Sequence, residues 1–387
     1  MEQHIDLNNE IAKQAAALAP AIRASQYTGK GLPLVRWLGG VNIPTELEAS
    51  LSIRSIATDA DDEAFRNLGV ADVVQVPDLG TYVIGWSYDE LMNKAALLGN
   101  DYNAINKREL PFYKRMFQKI VIITGSAQGF GQGIAEELAR EGAYLVIADM
   151  NLPLAEKVAA GINEEFGDGT ARALEVNVVD EDSMEALIKQ VVLRLGGLDL
   201  FISNAGVLRA GDLEEMDLES FEFVTRVNYT GYFIGTKYAA RPMRLQNRIA
   251  TGSYTDIVQV NSKSGLDGSS KNFAYAGGKF GGIGLTQSFA KELVADNIKV
   301  NAVCPGNYYE GPLWSDPENG LFVQYLETGK CPGAETLDDV YEFYIDKVPM
   351  RKGCSPLDVA RAIFYLVEQT NETGQALPIT GGQIMLN

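Results

Sequence analysis

A tyrosine and a lysine lie four residues apart, at Tyr275 and Lys279, in the stretch AYAGGKFGGIGL (274–285). On a helix this spacing places both side chains on one face. The pKa of a phenol is normally near 10, so a tyrosine that acts as a base near neutral pH needs a shift of about 2–3 units, equivalent to about 3–4 kcal/mol. A nearby ammonium group favours the phenolate. The pair is therefore a candidate for proton transfer, with Tyr275 as the acid or base and Lys279 as the charge that assists it.

Histidine and cysteine usage narrows the possible chemistry. The chain has one histidine, His4, which argues against a serine–histidine triad and a histidine-ligated zinc site. Proton transfer must then rely on Tyr, Lys, Asp, Glu or Cys. The three cysteines, Cys304, Cys331 and Cys354, lack the spacing of metal ligands, so the sequence predicts no metal. Free thiols without a disulfide framework fit a reducing compartment.

The overall composition bounds the class of protein. The chain has 387 residues, of which 46% are hydrophobic, enough for a sizeable core and for two domains. Its formal charge of −18 argues against nucleic acid and anionic membranes as partners. The amino-terminal residues MEQHIDLNNE lack an apolar signal core, and no apolar run approaches the roughly 18 residues of a membrane span. We therefore predict a cytoplasmic protein.

From residue 119 onward, short β-branched runs alternate with segments of helical periodicity. The predicted strands are 119–125, 143–149, 173–180, 198–206, 256–262 and 298–306, and the predicted helices are 131–142, 154–166 and 184–196. This succession predicts the α/β class, with a Rossmann-type doubly wound parallel sheet covered by helices on both faces. We assign this domain to residues 116–387.

Residues 1–115 lack this alternation of strands and helices. Their pattern predicts a small α+β accessory domain. Its predicted elements are a helix at 9–19, strands at 72–78 and 81–86, and a helix at 88–99 that begins with a capping box of Ser87 and Glu90. We find no functional motif in it. A role in packing or assembly and a role in regulation or substrate gating both remain open.

A glycine-rich turn, TGSAQGFGQG (124–133), joins the first strand of the parallel sheet to its first helix. Gly125, Gly129 and Gly131 allow a tight turn and a close approach of the backbone to a pyrophosphate at the helix N-terminus. Asp149 ends the second strand, 18 residues after Gly131, where its carboxylate can accept hydrogen bonds from ribose hydroxyls. The same carboxylate repels a 2′-phosphate, and no cation beside it compensates. The sequence therefore predicts an NAD site rather than an NADP site.

Six motifs in order resemble the short-chain dehydrogenase/reductase family over residues 119–387. They are the glycine turn TGxxxGxG, the NAG segment Asn204–Gly206, Asn228, Ser262, Tyr275-x-x-x-Lys279 and Pro305–Gly306. The resemblance implies hydride transfer, without a metal, between a hydroxyl or carbonyl carbon and C4 of nicotinamide. It also implies that residues 116–387 are the NAD-binding dehydrogenase domain.

The resemblance assigns roles to the candidate catalytic residues. Ser262 would hydrogen-bond the substrate oxygen and stabilise its developing charge, and Asn228 would position a water that passes the proton outward. Lys279 would also hold the nicotinamide ribose. Residue Asn177 stands where family members often carry an aspartate. The residues expected to touch the cofactor are Gly125, Ser126, Gln128, Gly129, Phe130, Gly131, Asp149, Asn177, Val178, Asn204, Ala205, Gly206, Tyr275, Lys279, Pro305 and Gly306.

The carboxyl-terminal half is similar to bacterial sorbitol-6-phosphate 2-dehydrogenases, a group within that family. The segments that carry this likeness are 257–265, 275–288, 305–307, 344–354 and 373–385. The likeness implies oxidation of sorbitol 6-phosphate to fructose 6-phosphate with NAD. Two alternatives remain: a dehydrogenase of an unphosphorylated polyol or another sugar phosphate, and a cofactor-sensing regulatory protein whose amino-terminal domain binds partners.

A phosphorylated substrate needs local cations, because the chain as a whole is strongly acidic. The candidate substrate residues are Lys263, Arg209, Lys271, Asn307 and Arg351. The alternative is that the cationic ones among them are ordinary solvated surface charges.

The helix of Tyr275 and Lys279 is unusually rich in glycine, although glycine destabilises a helix by about 0.5–1 kcal/mol relative to alanine. Two explanations remain open. Either a second subunit packs closely against this helix, as in the family, or the glycines leave room for the cofactor within one chain. We expect a homo-oligomer, a dimer or a tetramer.

Overall fold

The computed structural model describes residues 5–98, 114–318 and 320–385, except for residues 28, 30, 42, 44–46, 48 and 49. His4 and the end of the helix predicted at 88–99 lie outside the described residues, as does the segment 99–113 that precedes the predicted domain boundary. Within the described ranges, no helix is both long enough and apolar enough to span a bilayer.

The amino-terminal residues build a separate small sheet. Its elements are α1 (Glu10–Ser25), β1 (Leu34–Trp37), β2 (Ile53–Ser55), α2 (Asp62–Arg66), β3 (Val73–Val76), β4 (Gly80–Gly85) and α3 (Tyr88–Leu97). The strand order is β1-β4-β3-β2, with β4 antiparallel to both neighbours and β2 parallel to β3. Helix α1 continues past its predicted end and through Pro20, because its small apolar face is buried along its whole length.

The remaining elements form an α/β unit. They are β5 (Ile120–Thr124), α4 (Gly129–Arg140), β6 (Tyr144–Asp149), α5 (Leu152–Phe166), β7 (Ala171–Glu175), α6 (Glu181–Leu195), β8 (Leu200–Ser203), α7 (Leu218–Thr225), α8 (Gly231–Ile249), β9 (Thr255–Val260), α9 (Phe273–Leu293), β10 (Ile298–Pro305), α10 (Pro312–Ser315), α11 (Leu321–Glu327), α12 (Leu337–Ile345), α13 (Pro356–Glu368) and β11 (Ala376–Ile379). All pairings in the sheet β11-β10-β9-β8-β5-β6-β7 are parallel, and the predicted α/β fold class is confirmed.

The strand predicted at 173–180 is shorter and begins earlier than the sequence suggested. Strand β7 covers Ala171–Glu175 at the edge of the sheet. The residues after it already form the turn into α6, in which the backbone amide of Asp180 donates to the carbonyl of Asn177 at 3.1 Å. Asp180 then caps α6 by accepting from the backbone amide of Ser183 at 3.0 Å. A side chain that caps a helix competes with strand pairing, which explains the difference.

The topology gathers four loops at one edge of the parallel sheet. The chain runs from β5 outward to β7 and then crosses to β8 on the other side of β5. Ligands of open α/β sheets bind outside the carboxyl ends of the strands at such a reversal. The loops after β5, β8, β9 and β10 all leave the sheet at this edge, so the predicted cofactor and catalytic residues meet there.

The amino-terminal sheet shares a hydrophobic core with one face of the parallel sheet. Helix α1 packs against α6 and α8, and its buried apolar residues are continuous with those of β5 and β6. Glycines permit the close fit: a Cβ at Gly196 would lie 2.6 Å from Cβ of Val35, and one at Gly169 would overlap the ring of Tyr88. The division into domains at residues 115 and 116 stays a prediction.

A buried ion pair also joins the two regions. The guanidinium of Arg23 in α1 donates to both carboxylate oxygens of Asp199, just before β8, at 3.0 and 2.8 Å. Arg23 also donates to the side-chain oxygen of Gln246 at 2.8 Å and to the carbonyl of Pro33 at 2.7 Å. Burial acts to raise the pKa of Asp199, but the Arg23 charge and its hydrogen bonds outweigh it, and the pKa lies below its usual value.

The segment between β10 and α13, residues 306–355, forms what we call the aromatic cap. Its core is a cluster of aromatic rings around Trp314, whose ring centroid lies 5.1 Å from that of Tyr309, 5.0 Å from that of Tyr344 and 5.7 Å from that of Tyr325. The hydroxyl of Tyr325 and the side-chain amide of Asn272 lie 3.2 Å apart, which connects the cap to the start of α9.

Candidate active site

The glycine turn after β5 has the shape of an anion-binding loop. Gly125 and Gly129 adopt positive φ values of 64° and 62°, which favour glycine. A Cβ at Gly131 would overlap the carbonyl of Gly125 and lie 2.5 Å from the Asn204 amide nitrogen. Gln128 caps α4 without a side-chain hydrogen bond, so its first turn keeps backbone N–H groups available to a pyrophosphate. These residues fit a dinucleotide.

Two residues of this loop make contacts within the protein that would be present whether or not a ligand is bound. The buried hydroxyl of Ser126 donates to the carbonyl of Ile123 at 2.7 Å and accepts from the backbone amide of Ala148 at 3.1 Å. A cofactor contact at Ser126 would therefore come from its backbone. The ring of Phe130 packs against that of Tyr308 in the aromatic cap, with centroids 5.1 Å apart.

Asp149 lies at the end of β6 beside the glycine turn. Its two carboxylate oxygens accept from the backbone amides of Ala127 and Asn151, each at 3.0 Å. Each oxygen keeps a further lone pair, so the carboxylate can hold the loop and accept from a ribose hydroxyl at the same time. Asn177 follows the neighbouring strand β7, and the adjacent Val178 is buried against Gly231.

The NAG segment interlocks with the glycine turn. The side-chain amide of Asn204 donates to the carbonyls of Thr124 and Gly125 at 2.9 and 2.8 Å. A Cβ at Gly125 would lie 2.7 Å from Cα of Ala205, so the two loops touch along their backbones. Gly206 extends this contact toward the catalytic residues, because a Cβ there would lie 3.7 Å from Nζ of Lys279.

Tyr275 and Lys279 lie on successive turns of α9, as the spacing predicts. The Lys279 ammonium is 5.5 Å from the Tyr275 ring centroid and donates to the carbonyl of Val260 at 2.9 Å. Burial lowers the pKa of Lys279 to about 8. Burial raises the pKa of Tyr275, and a hydrogen bond with Ser262 opposes this rise. The surrounding protein therefore keeps the phenol protonated at neutral pH, which differs from the lowering expected from the sequence.

Ser262 follows β9 and caps the short 3₁₀ turn Lys263–Gly265, where its hydroxyl accepts from the backbone amide of Ser264 at 3.1 Å. The side chain of Asn261 positions it. Asn261 accepts from the Ser262 backbone amide at 2.8 Å and donates to the carbonyl of Lys279 at 2.9 Å. Sequence reasoning missed Asn261, although its place directly before the predicted serine was a usable signal.

Asn228 lies in a π-helical turn, Arg226–Thr230, between α7 and α8. Such turns occur frequently at functional sites. Its buried amide accepts from the backbone amide of Val207 and donates to the carbonyl of the same residue, both at 2.8 Å. Asn228 thus anchors the chain directly after the NAG segment. The role predicted for it in holding a water remains a proposal.

Pro305 ends strand β10, and Gly306 follows it directly. The backbone amide of Gly306 donates to the carbonyl of Ile379 in β11 at 2.9 Å. Cys304, the residue before Pro305, is buried near the Lys279 ammonium, which acts to lower the pKa of the thiol. Burial raises the pKa of Cys304 to about 12, so this thiol is neutral.

Of the predicted substrate residues, Lys263 is the one adjacent in the chain to a candidate catalytic residue, because it follows Ser262 directly. It is half-buried, and burial together with the charge of Lys347 lowers the pKa of Lys263 to about 8. Lys271 lies before α9 and forms an ion pair with Asp212 at 3.8 Å.

The other three predicted substrate residues have different surroundings. Arg209 is exposed, with its guanidinium 5.8 Å from the centroid of the Phe223 ring. The side chain of Asn307 donates to the hydroxyl of Tyr309 at 3.0 Å. Arg351 pairs with two carboxylates, those of Asp346 and, at 3.0 Å, Glu342, so its charge is already neutralised locally.

Two lysines of the aromatic cap complete the basic surroundings of Lys263. They are Lys330 and Lys347, whose charges interact with each other and with Lys263. Burial lowers the pKa of Lys330 to about 8, and the neighbouring lysines add to this effect. Sequence reasoning named neither residue, although Lys347 lies in the segment 344–354 that carries the likeness described above.

The glycines of α9 differ in their surroundings. A Cβ at Gly281 would lie 2.7 Å from the ring of Tyr229, and one at Gly282 would lie 2.5 Å from the side chain of Gln259. Packing within the chain explains these two. At Gly277 and Gly284 a Cβ would meet open space, so contacts among the described residues do not explain them.

The doubly wound sheet, the glycine turn at its carboxyl edge and the Ser262, Tyr275 and Lys279 group define a class of nicotinamide-dependent oxidoreductases. The family model described as short chain dehydrogenase matches residues 119–314. The chain belongs to this family, whose members use NAD or NADP.

Individual relatives share the dehydrogenase region. The sorbitol-6-phosphate 2-dehydrogenase of Escherichia coli is 34% identical over 69% of this chain and 99% of its own length. A 3-oxoacyl-[acyl-carrier-protein] reductase, FabG of Aquifex aeolicus, is 30% identical over 68% of this chain and 96% of its own length. The crystal structure of sorbitol-6-phosphate 2-dehydrogenase SrlD from Erwinia amylovora is similar, with a TM-score of 0.63, 35% identity, and coverage of 69% of this chain and all of that one.

Proposed function

We propose that the protein is an NAD-dependent oxidoreductase that oxidises sorbitol 6-phosphate at C2 to fructose 6-phosphate. The observation that carries the reaction type is the assembly of Ser262, Tyr275 and Lys279 beside the glycine turn. The similarity to two sorbitol-6-phosphate 2-dehydrogenases supports the substrate.

The chain's own residues divide the work of proton transfer. Ser262 orients the C2 hydroxyl, and Tyr275 accepts its proton as the carbonyl forms. Lys279 holds its ammonium at 5.5 Å from the Tyr275 ring centroid, where it favours the phenolate. Bound NAD supplies the hydride acceptor and a positive charge that also favours the phenolate. Asn228 holds the loop beside this pair and is the proposed start of the proton path to solvent.

Asp149 supports NAD as the cofactor, because its negative charge would repel the 2′-phosphate of NADP. Replacing Asp149 with asparagine keeps an acceptor for the Ala127 amide but removes the charge. A charge-assisted hydrogen bond contributes about 1.5–3 kcal/mol, so the preference for NAD over NADP in kcat/KM should fall roughly 10- to 100-fold. Steady-state kinetics with both cofactors measures this ratio.

The matched control is Asp168→Asn, which changes an exposed carboxylate before the amino end of β7, away from the loops of the site. The control should behave like the wild type. If Asp149→Asn also leaves the NAD/NADP ratio unchanged, cofactor selectivity lies elsewhere in the chain.

The substrate assignment is tested by NAD reduction with a panel of polyols and polyol phosphates. We expect kcat/KM for sorbitol 6-phosphate to exceed that for sorbitol by roughly 10-fold or more, since each charge-assisted contact with phosphate contributes about 1.5–3 kcal/mol. Equal values would favour the alternative of an unphosphorylated polyol. Turnover of another sugar phosphate alone would assign that compound as the substrate instead. The absence of turnover with every panel member would favour a cofactor-sensing role.

We also propose that the protein acts in the cytoplasm as a homo-oligomer. Helices α8 and α9 expose the large apolar side chains of Phe233 and Phe280, and Gly277 and Gly284 leave part of α9 open to close packing. Residues 1–115 are proposed to be an accessory domain that packs on the dehydrogenase domain. Light scattering of the purified chain would measure its mass in solution directly.

A further inference from the structure

Three lysines from distant parts of the chain are close enough for their charges to interact, and one of them follows Ser262 of the candidate active site. Lys263 follows Ser262 in the loop after β9, whereas Lys330 and Lys347 come from the aromatic cap. The charge of Lys347 acts to lower the pKa of Lys263, and the charges of both residues act to lower the pKa of Lys330. We call this group the lysine trio.

No carboxylate within the described ranges forms an ion pair with any member of the trio at 4.0 Å or less. Asp267 acts on Lys263 from further away. Lys271, at the border of the group, is already paired with Asp212. The polar partner of Lys330 is the side-chain oxygen of Asn272, at 3.1 Å in the amide orientation that satisfies both polar atoms. The trio therefore concentrates positive charge that the described protein does not neutralise.

The aromatic cap holds two of these ammonium groups in place. Nζ of Lys330 lies 4.0 Å from the centroid of the Tyr325 ring, and Nζ of Lys347 lies 3.7 Å from that of Phe343. Such contacts with aromatic faces are favourable. The Tyr325 hydroxyl lies 3.2 Å from the Asn272 amide, directly before the helix of Tyr275 and Lys279. The cap thus fixes the two lysines relative to the catalytic helix.

This arrangement is unfavourable unless an anion compensates it. Like charges repel, and partial burial strengthens the repulsion because water screens it less. Burial and the neighbouring ammonium groups already hold the pKa of Lys263 and Lys330 at about 8. In a chain with a formal charge of −18, a local group of this kind is a selective attractor for a small dianion.

We propose that the lysine trio binds the phosphate group of the substrate, an inference that rests on the proposed oxidation of a polyol phosphate. Lys263 is the next residue after Ser262, so the trio starts one residue from the group that holds the reacting oxygen. C2 and the phosphorus of sorbitol 6-phosphate are separated by roughly 7 Å in an extended chain. A phosphate bound by the trio can therefore lie one polyol chain length away from C2, with C2 beside Ser262 and Tyr275.

Kinetics of Lys330→Gln and Lys347→Gln tests this assignment without changing a residue next to the catalytic serine. Each variant should raise KM for sorbitol 6-phosphate roughly 10- to 100-fold, the loss of one charge-assisted contact. KM for NAD and kcat/KM for unphosphorylated sorbitol should stay near the wild-type values. The control is Lys291→Gln, an exposed lysine in the last turn of α9, about 27 Å along the helix from its first residue.

Binding of inorganic phosphate to the full chain, measured by calorimetry, gives a second readout that needs no turnover. The wild type and Lys291→Gln should bind phosphate, and Lys330→Gln and Lys347→Gln should bind it at least 10-fold more weakly. If the wild type does not bind phosphate, or if all four proteins bind it equally, the trio is not a phosphate site.

The two experiments separate this inference from the proposed function. Lysine-dependent phosphate binding without turnover of sorbitol 6-phosphate would support the phosphate site at the lysine trio. It would overturn the assignment of sorbitol 6-phosphate as the substrate. Turnover of sorbitol 6-phosphate with the same KM in the wild type and both cap variants would support the proposed function and overturn the trio.

Discussion

Replacing Tyr275 with phenylalanine is expected to lower kcat by about 10²–10⁴-fold, the effect typical of losing a general acid or base. The substitution keeps the ring that packs 5.5 Å from the Lys279 ammonium, so α9 and the lysine should stay in place. The glycine turn and the NAG segment, which are the main proposed cofactor contacts, are left intact, so NADH binding should be nearly unchanged.

Steady-state turnover of sorbitol 6-phosphate and NADH fluorescence titration measure the two halves of this prediction. Tyr254→Phe is the matched control, since it removes the same hydroxyl from an exposed ring. Turnover of Tyr275→Phe close to the wild-type value would remove the phenol from the mechanism.

The pH dependence of the wild type should have a definite sign. Burial raises the pKa of Tyr275, so the phenol is protonated at neutral pH. Oxidation needs the phenolate as proton acceptor, and its kcat/KM should therefore rise with pH. Reduction needs the protonated phenol and should slow over the same range. The residual activity of Tyr275→Phe should not show this opposite pair of trends.

Replacing Arg23 with methionine is expected to destabilise the fold by about 3–5 kcal/mol, the effect of breaking a buried ion pair by removing one partner. The side chains of Arg23 and its partner Asp199 are almost fully buried, with 1% and 8% of their areas exposed. Asp199 would keep hydrogen bonds from the backbone amide of Ile120 and from Gln246, at 2.8 and 2.9 Å, but lose its cation. Urea unfolding at neutral pH measures the loss.

Acidification should reduce the difference in the free energy of unfolding between Arg23→Met and the wild type. In the wild type the pKa of Asp199 is lowered, so its contribution to stability is present above the unfolded pKa and is lost as the pH falls. In the variant, burial without Arg23 raises the pKa of the carboxyl, so protonation on acidification relieves the unpaired charge. A difference in the free energy of unfolding that stays constant down to about pH 4 would contradict this account.

Lys13→Met is the control on the same helix. Lys13 pairs with Glu10 at 3.4 Å, but both side chains are well exposed, and such pairs contribute about 0–1 kcal/mol. A loss in Arg23→Met as small as in this control would show that the amino-terminal region does not depend on the buried pair.

The sequence by itself determined the parallel sheet and the order of its functional loops. Strand β5 is a short β-branched run with every residue buried, and the glycine turn follows it directly. The spacing of Tyr275 and Lys279 likewise defines their common helix face. These features depend on neighbours within a few residues, where periodicity and turn chemistry are decisive. Strands β1, β2 and β11, of four, three and four residues, were not predicted.

Only the tertiary structure decided which distant groups meet. Arg23 and Asp199 are 176 residues apart in the chain, yet the packing of α1 on the parallel sheet brings them together. Lys330 and Lys347 reach Lys263 because the rings of the aromatic cap pack on one another, and Arg351 is neutralised by two carboxylates of the same cap. Long-range packing and charge pairing have no local signature, so neither the lysine trio nor the buried ion pair was visible in the sequence.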